Sequence, residues 1–558
     1  MLLMFVRAKK SGAYQYLQLV RSERVDGHVR QQVIATLGRL DVLQNAGRID
    51  ALIASCARFA ERSAVLEAHE RGQTEAVETI KIGPPLLFER LWQELGMPEV
   101  LSVLLNDRRF QFSVERAVFL TVLHRLFDPG SDRAAEVWRK GYALAGAEAL
   151  QLHHLYRAMA WLGEALPDDQ QFGATPFAAR RTKDLIEEAL FARRQDLFSG
   201  LDLVFFDTTS IYFEGRGGET LGQYGKSKDH RPDRKQMVVG AVLDQEGRPI
   251  CCELWPGNTS DAKTLIPIVD RLQARFHIQR ICIVADRGMI SKQTIQELQK
   301  AHRNTRFILG ARLRAVKEIR EQVLGDAGPY QEMYGPRAHS KDPSPLKIKE
   351  VRIEDRRYIV CCNEEQVRKD RADRGAIVGA LRDGLKRGDK SLIGNKGYRK
   401  FLKTTGKRFE IDEEKVRSEA RFDGLWVLQS DAELPAADTA LKYKELWMVE
   451  SMFRSLKSVL ETRPVYHQGD ETICGHVFCS FLALVLLKEL QGRMKSRPGG
   501  RGEPVEWEYL KRDLDALEEI TVNNAGRTFV IRSRPHGNAA KALQAAGVAL
   551  GPTVRFCL

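Results

Sequence analysis

A mixed α/β fold is predicted by two changes of texture along the chain. From Leu201 the sequence reads LDLVFFDTTSIYF, KQMVVGAVLD and PICCELW, three apolar strand-like runs in succession. Helix and strand then alternate: Asp261 to Phe276 has helical spacing, QRICIVAD is strand-like, Ser291 to Ala301 is helical and RFILGARL is strand-like. Consecutive strands suggest an antiparallel meander, and the later alternation suggests parallel additions. That is the order of an RNase H-like core, a mixed sheet with helices on both faces.

The flanks differ from this core. Residues 1–76 are expected to form an N-terminal β hairpin module and a connector helix. Tyr14 to Val20 and His28 to Leu37 flank Asp26-Gly27, a turn dipeptide, and residues 48–76 read as helix. Arg7, Lys9, Lys10, Arg21, Arg24, Arg30 and Arg39 make the hairpin basic, which fits DNA contact and a solvated hairpin equally well. Residues 77–199 are helical by pattern, as in VERAVFLTVLHRLF, and Asp128-Pro129-Gly130-Ser131 breaks and re-caps the chain. The first part of the core spans 200–311. A basic, β-rich insertion follows over 312–435, with LKIKEVRIE, RRYIVCCN and GLWVLQS as strands. Residues 436–490 return to the core. Residues 491–558 read as a mostly helical tail domain, with a last short strand near Thr528 to Arg532.

Length and composition set bounds on function. A chain of 558 residues holds about three or four domains. With 43% hydrophobic residues it buries sizeable cores and is not a disordered chain. Its 87 basic against 74 acidic residues leave a net charge of +13, which suits a polyanion such as nucleic acid. A basic soluble enzyme shares that charge, so it sets a direction only. The nine cysteines include no CxxC, and the pairs Cys251-Cys252 and Cys361-Cys362 read as reduced core thiols. The start MLLMFVRAKK has too short an apolar run for a signal peptide, and Val477 to Leu487 is too short to span a bilayer. A cytoplasmic protein with neither membrane nor organic cofactor is expected.

Three acids stand out by position. Asp207 lies in the first core strand, Asp286 closes the fourth, and Glu450 follows the insertion in YKELWMVESMFRSLK. At roughly 100° per residue, Tyr443, Glu450, Arg454 and Lys457 share one stripe of a helix. Leu446, Val449, Phe453, Leu456 and Leu460 form an apolar stripe beside it. The first and fourth strands of such a sheet are neighbours, and a later helix crosses them, so the three carboxylates converge. Convergent carboxylates suit Mg²⁺, with Mn²⁺ as a substitute, and two such ions per site promote phosphodiester cleavage. Each acid alone reads as well as a polar residue at an element end.

Other groups are weaker. Arg231 and Lys235, with His230 and Arg234, lie in a loop that fits a DNA channel or a solvated turn. Asn258 and Asp261 flank a helix start, where capping explains them equally. His153-His154 reads as structural, and His467, Cys474, His476 and Cys479 read as core packing rather than a zinc site. Ser210, His230 and Asp233 lack a nucleophile elbow.

VFFDTTSIYFEG, VADRGMIS and the Y-x2-L-x3-E-x6-K pattern of YKELWMVESMFRSLK resemble the three signature blocks of bacterial insertion-sequence DDE transposases. The likeness is to the insertion-sequence 4-like superfamily, most closely its insertion-sequence 1634-type branch. GKSKDHRPDRKQ, PGNTSD, FDGLWVLQSD and RPVYHQ resemble further blocks, so it runs from the N-terminal hairpin to about residue 490. The resemblance implies that Asp207, Asp286 and Glu450 bind the metal ions and that Tyr443 and Lys457 contact the DNA end. The signature arginine is replaced by Leu446, and Arg454 is offered as the substitute phosphate-binding cation. It also implies the reaction: activated water cuts the transposon end, and the freed 3′-OH attacks the opposite strand or target DNA. Double-stranded DNA is the implied partner, bound by a dimer. A metal-dependent nuclease and a catalytically silent DNA-binding derivative are the alternatives.

Overall fold

The computed structural model describes residues 3–25, 28–45, 48–49, 52, 74–172, 174, 178–194, 203–278, 281–301, 305–339, 342–388, 396–405, 408–496, 505–524 and 527–556. The chain divides into two units.

The first unit comprises Met1–Ile80, Leu517–Arg534 and Gly551–Leu558. Strands β1 (Leu3–Ser11), β2 (Tyr14–Val25) and β3 (His28–Arg39) form an antiparallel sheet, one strand more than the expected hairpin. The Asp26-Gly27 turn lies outside the described residues, as does most of the connector helix expected over 48–76. From Thr74 the described chain is a strand, β4 (Thr74–Lys81).

The second unit comprises Lys81–Ala516 and Pro535–Leu550. Its helical part follows the sequence closely. Ser113 caps the helix Val114–Phe127 by accepting from the Arg116 N–H at 3.2 Å, and Ser131 caps Asp132–Trp138 in the same way through Ala134. The apolar helix Asp470–Lys495 packs against Val114–Phe127 and Leu152–Leu162. It is long and apolar enough to cross a membrane, yet 83% of its most apolar window is buried inside the fold, which makes it a core helix.

The rest of this unit is built on one nine-stranded mixed sheet. Its strands are β5 (Leu203–Tyr212), β6 (Gln236–Leu243), β7 (Pro249–Pro256), β8 (Ile281–Ala285), β9 (Thr305–Gly310), β10 (Gln331–Tyr334), β11 (Leu346–Ile353), β12 (Arg356–Cys362) and, beyond the β13 (Leu402–Thr405) and β14 (Arg408–Ile411) hairpin, β15 (Leu425–Ser430). The order is β10-β11-β12-β15-β9-β8-β5-β6-β7. β5 pairs parallel with β8 and β8 with β9, whereas β5-β6 and β6-β7 are antiparallel. β5 and β6 are buried on both faces, as their nearly unbroken apolar runs require. Gly240 in β6 leaves room for Trp255: a Cβ there would lie 2.5 Å from the indole ring. The helix Leu265–Phe276 buries Leu265, Ile268, Val269 and Leu272 in the same core as Val204, Phe206, Val242 and Ile283. Each such side chain contributes about 1.5–3 kcal/mol by leaving water.

Two expectations need correction here. Segment 312–435 is not a separate β module, because β10, β11, β12 and β15 extend the main sheet outward from β9. It also contains the 24-residue helix Glu364–Arg387. Nor is 491–558 one mostly helical domain. Its helices Trp507–Asp515 and Gly537–Ala545 belong to the second unit, while β16 (Glu518–Asn524), β17 (Arg527–Arg532) and β18 (Val554–Phe556) belong to the first. There they join β4 in a sheet of order β18-β17-β16-β4. Strand pairing with a partner over 400 residues away is not encoded in local pattern.

Candidate active site

Parallel pairing of β5 with β8 sets Phe206 opposite Ala285. The next positions are Asp207, still within β5, and Asp286, the first residue after β8. Two apolar strands thus deliver two carboxylates to the same end of the sheet. Asp207 is half-buried and accepts a 2.7 Å hydrogen bond from the Thr208 N–H. Burial raises its pKa; Lys228 and the Thr208 N–H pull it down, and Asp286 and Asp261 push it up. The net effect is a carboxyl pushed up to about 6.

Asp261 belongs to the same cluster, a place the sequence reading left to helix capping. Its Oδ1 accepts from the Thr208 hydroxyl at 2.7 Å, and its Oδ2 lies 3.4 Å from Lys228 Nζ. Lys228 also donates to the Thr208 carbonyl at 2.7 Å. The signals were the D of PGNTSD and the second K of GKSKDH, but neither shows its partner locally.

Tyr443 donates from its phenol to Asp286 Oδ1 at 3.2 Å. Burial, then the Asp286 charge, holds that phenol well above its usual pKa range. Gly310 at the end of β9 makes room for it, since a Cβ there would sit 2.3 Å from the hydroxyl.

The expected single helix through Tyr443 and Lys457 is two. Ala436–Lys444 ends, and Trp447–Ser458 begins after a turn at Glu445-Leu446. Leu446 N donates to Tyr443 O and Val449 N to Leu446 O, both i→i−3 bonds of a tightened turn. Leu446 is only 5% exposed, so this side chain is directed into the core and Tyr443 leaves the stripe of Glu450. The second helix packs on β5 and β6 through Val449, Met452, Phe453 and Leu456. Glu450 and Arg454 are on its exposed side, their side chains without a hydrogen bond or ion pair among the described residues. Asp207 and Asp286 are therefore brought together, whereas Glu450 stands on an adjoining helix that packs on β5.

The remaining expected DNA contacts lie close by. Lys457 donates to Asp229 Oδ1 at 2.7 Å. Arg231 is paired with Asp233 and stands over the Tyr212 ring. Lys235 is half-buried beside the first residue of β6.

Two groups elsewhere have ligand-like atoms within 4.8 Å of one another: Asp132, His467 and His476, and Glu187, Cys251 and Glu253. In the first, the His476 Nδ1 is taken by the Arg125 guanidinium at 2.9 Å, and burial then holds the ring far below its usual pKa. A cation so placed opposes a metal. The second lies inside a buried ion network. Among other histidines, His154 accepts from the Gln151 N–H and stacks on Phe112, a structural role. Cys474 and Cys479 are buried thiols of the core helix. Ser210 Oγ accepts from the Lys228 N–H at 2.7 Å, away from any serine-hydrolase geometry.

A parallel strand pair delivers two acids, Asp207 and Asp286, to one end of the sheet. Residues 199–486, just over half of the chain, match the family model described as transposase DDE domain. Residues 3–70 match that of the IS1634 family transposase N-terminal domain. The chain therefore belongs to the DDE transposases, and among them to the insertion-sequence transposases of the IS1634 type. DNA strand cleavage and strand transfer are the activity expected of such a protein. None of the curated proteins compared matches it. Among solved structures, it is similar to a piggyBac transposase synaptic complex with hairpin DNA, at 9% identity over 77% of this chain and 79% of that one, TM-score 0.37. A Mos1 transposase paired-end complex with the left transposon end matches at 15% identity over 36% and 61%, TM-score 0.14. Likenesses this weak leave the assignment resting on the two family models.

Proposed function

We propose that this transposase cuts the ends of its own element with a carboxylate centre of Asp207, Asp286 and Glu450. The observation that carries the reading is the half-buried Asp207, raised to about 6 beside Asp286 and Asp261. A carboxylate under that strain, with hard oxygens around it, fits a divalent cation, Mg²⁺ or Mn²⁺. The strand order β7-β6-β5-β8-β9, with a meander and then two parallel additions, supports an RNase H-like core. Its interruption before the 447–458 helix matches the place of the third acid.

Asp207, Asp286 and Glu450 would hold the cations, two per site. When bound, these supply Lewis-acid activation of the attacking oxygen and stabilisation of the leaving one. The chain's own groups do the rest. Tyr443 fixes the Asp286 carboxylate, and Lys228 offsets part of the charge gathered around Asp207 and Asp261. Lys457, Arg454, Arg231 and Lys235 offer cations to backbone phosphates, which position DNA without reading its sequence. Water cuts the end first; the freed 3′-OH then attacks the opposite strand or the target. Two ends must meet, so a dimer on DNA is the working form, in the bacterial cytoplasm.

Protein, Mg²⁺ and a supercoiled plasmid carrying the element's ends test this. Strand-joined products are expected; cleavage alone would make it a nuclease, and binding alone a silent derivative. Asp207→Asn, Asp286→Asn and Glu450→Gln should each lower cleavage by more than about 10³-fold, the loss of several kcal/mol, while end binding survives. Full cleavage by any one removes that residue from the centre.

A further inference from the structure

The loop between β5 and β6 carries an acid in an unusual place. Lys457 Nζ lies 2.7 Å and Arg463 Nη1 2.5 Å from the same oxygen, Oδ1 of Asp229. The Asp229 side chain is 4% exposed, and its other oxygen, Oδ2, is buried with no hydrogen-bond partner. Two cations crowd one oxygen while its twin stays idle, a poor match for a carboxylate. A phosphodiester would present separate oxygens to the ammonium and the guanidinium.

The surroundings point the same way. His230, next to Asp229, has φ +57, a strained conformation for a residue with a side chain. The strain is held by neighbours: the Ser227 hydroxyl accepts from the N–H of Asp229 and of Arg231, and Lys228 is anchored on β5 through Ser210 and Thr208. Arg463 and Arg231 both approach the ring of Tyr212, which gathers positive charge at this end of β5.

We infer that Lys457 and Arg463 form a two-cation seat for one DNA backbone phosphate, and that Asp229 fills this seat in the DNA-free chain as an internal substitute for it. The inference rests on the reading that Lys457 faces DNA, and adds Arg463 and Asp229 to it. On DNA binding the phosphate displaces the carboxylate, and the Asp229 loop moves away. The seat also supplies a guanidinium near the helix whose signature arginine position is occupied by the buried Leu446.

Binding of the full chain to a labelled duplex copied from the end of its own element, followed across a salt series, tests this. Asp229→Asn should bind about three- to tenfold tighter, because the competing charge is gone. Arg463→Gln, with Asp229 intact, should bind more weakly and flatten the plot of log affinity against log salt by about 0.9, one phosphate contact. If folded Asp229→Asn binds no tighter than the parent, the substitution of phosphate by Asp229 is overturned. If Lys457→Gln flattens the plot and Arg463→Gln does not, the two-cation seat falls while Lys457 remains a DNA contact. If Lys457→Gln leaves the slope untouched, the underlying reading of Lys457 fails. The Arg463→Gln arm decides the seat even if Asp229→Asn does not fold.

Discussion

Two charged clusters flank the same sheet and are built on opposite rules. Behind β7, Lys183, Arg271 and Arg275 face Asp184, Glu187 and Glu253, three cations against three acids, all nearly without exposure. Arg275 lies 2.7 Å from Glu187 and 3.0 Å from Glu253; Arg271 lies 2.8 Å from Asp184. Lys183 further donates to the Cys252 carbonyl at 2.7 Å, which ties helix Thr182–Arg194 to β7. At the ends of β5 and β8 the balance is broken, with Asp261, Asp286 and the cation Lys228 acting on Asp207. The first cluster satisfies its charges and holds elements together. The second leaves acid in excess, the imbalance on which the proposed cation site rests.

Removing one partner from the balanced cluster should be the more damaging change. Arg275→Met leaves buried carboxylates without a counter-charge and should destabilise the second unit by about 3–5 kcal/mol. A melting curve would show it; a loss below about 1 kcal/mol, as for an exposed pair such as Arg306–Glu433, would show that the network is slack. The unbalanced cluster should respond in the opposite direction. With its folded pKa raised from 3.8 to about 6, Asp207 favours folding only while protonated. Its contribution is therefore fully present below about pH 4 and lost as the pH rises through 6. Asp207→Asn should stabilise the protein by up to about 3 kcal/mol at pH 7.5 and by nothing at pH 3.5. Added Mg²⁺ should raise the melting temperature of the parent and less that of the variant. A variant less stable than the parent at pH 7.5 would contradict the strain. The smallest effect is expected for Tyr443→Phe, which deletes one hydrogen bond to Asp286. It should cost about 1 kcal/mol and lower cleavage less than about tenfold, read by initial rates.

The balance and imbalance were not equally legible. Asp207 and Asp286 could be found because each ends an apolar strand run, and strand pattern is local. The buried network was invisible, since five of its members look like ordinary surface charges of helical segments and the sixth, Glu253, is a single acid in the β7 run. The same holds for Asp261 and Asp229, whose partners lie 53 and 228 residues away. The break at Glu445-Leu446 was hidden for another reason. The apolar period runs through it undisturbed, and only the tightened i→i−3 bonds at Leu446 and Val449 show that the chain turns. The chain's family signature therefore names Tyr443 and Glu450 together, while the fold places them on separate helices.

The outward growth of the sheet from β9 has a consequence for tolerance to change. Strands β15, β12, β11 and β10 are added beyond β9, so β8 and β5, which deliver the acids, keep their neighbours whatever the added part becomes. The last strand, β10, has four residues, two of them exposed, and so offers little edge for another chain to pair with. Length can therefore vary on that side at little cost to the centre, as in a building extended at one gable while the hearth stays where it was.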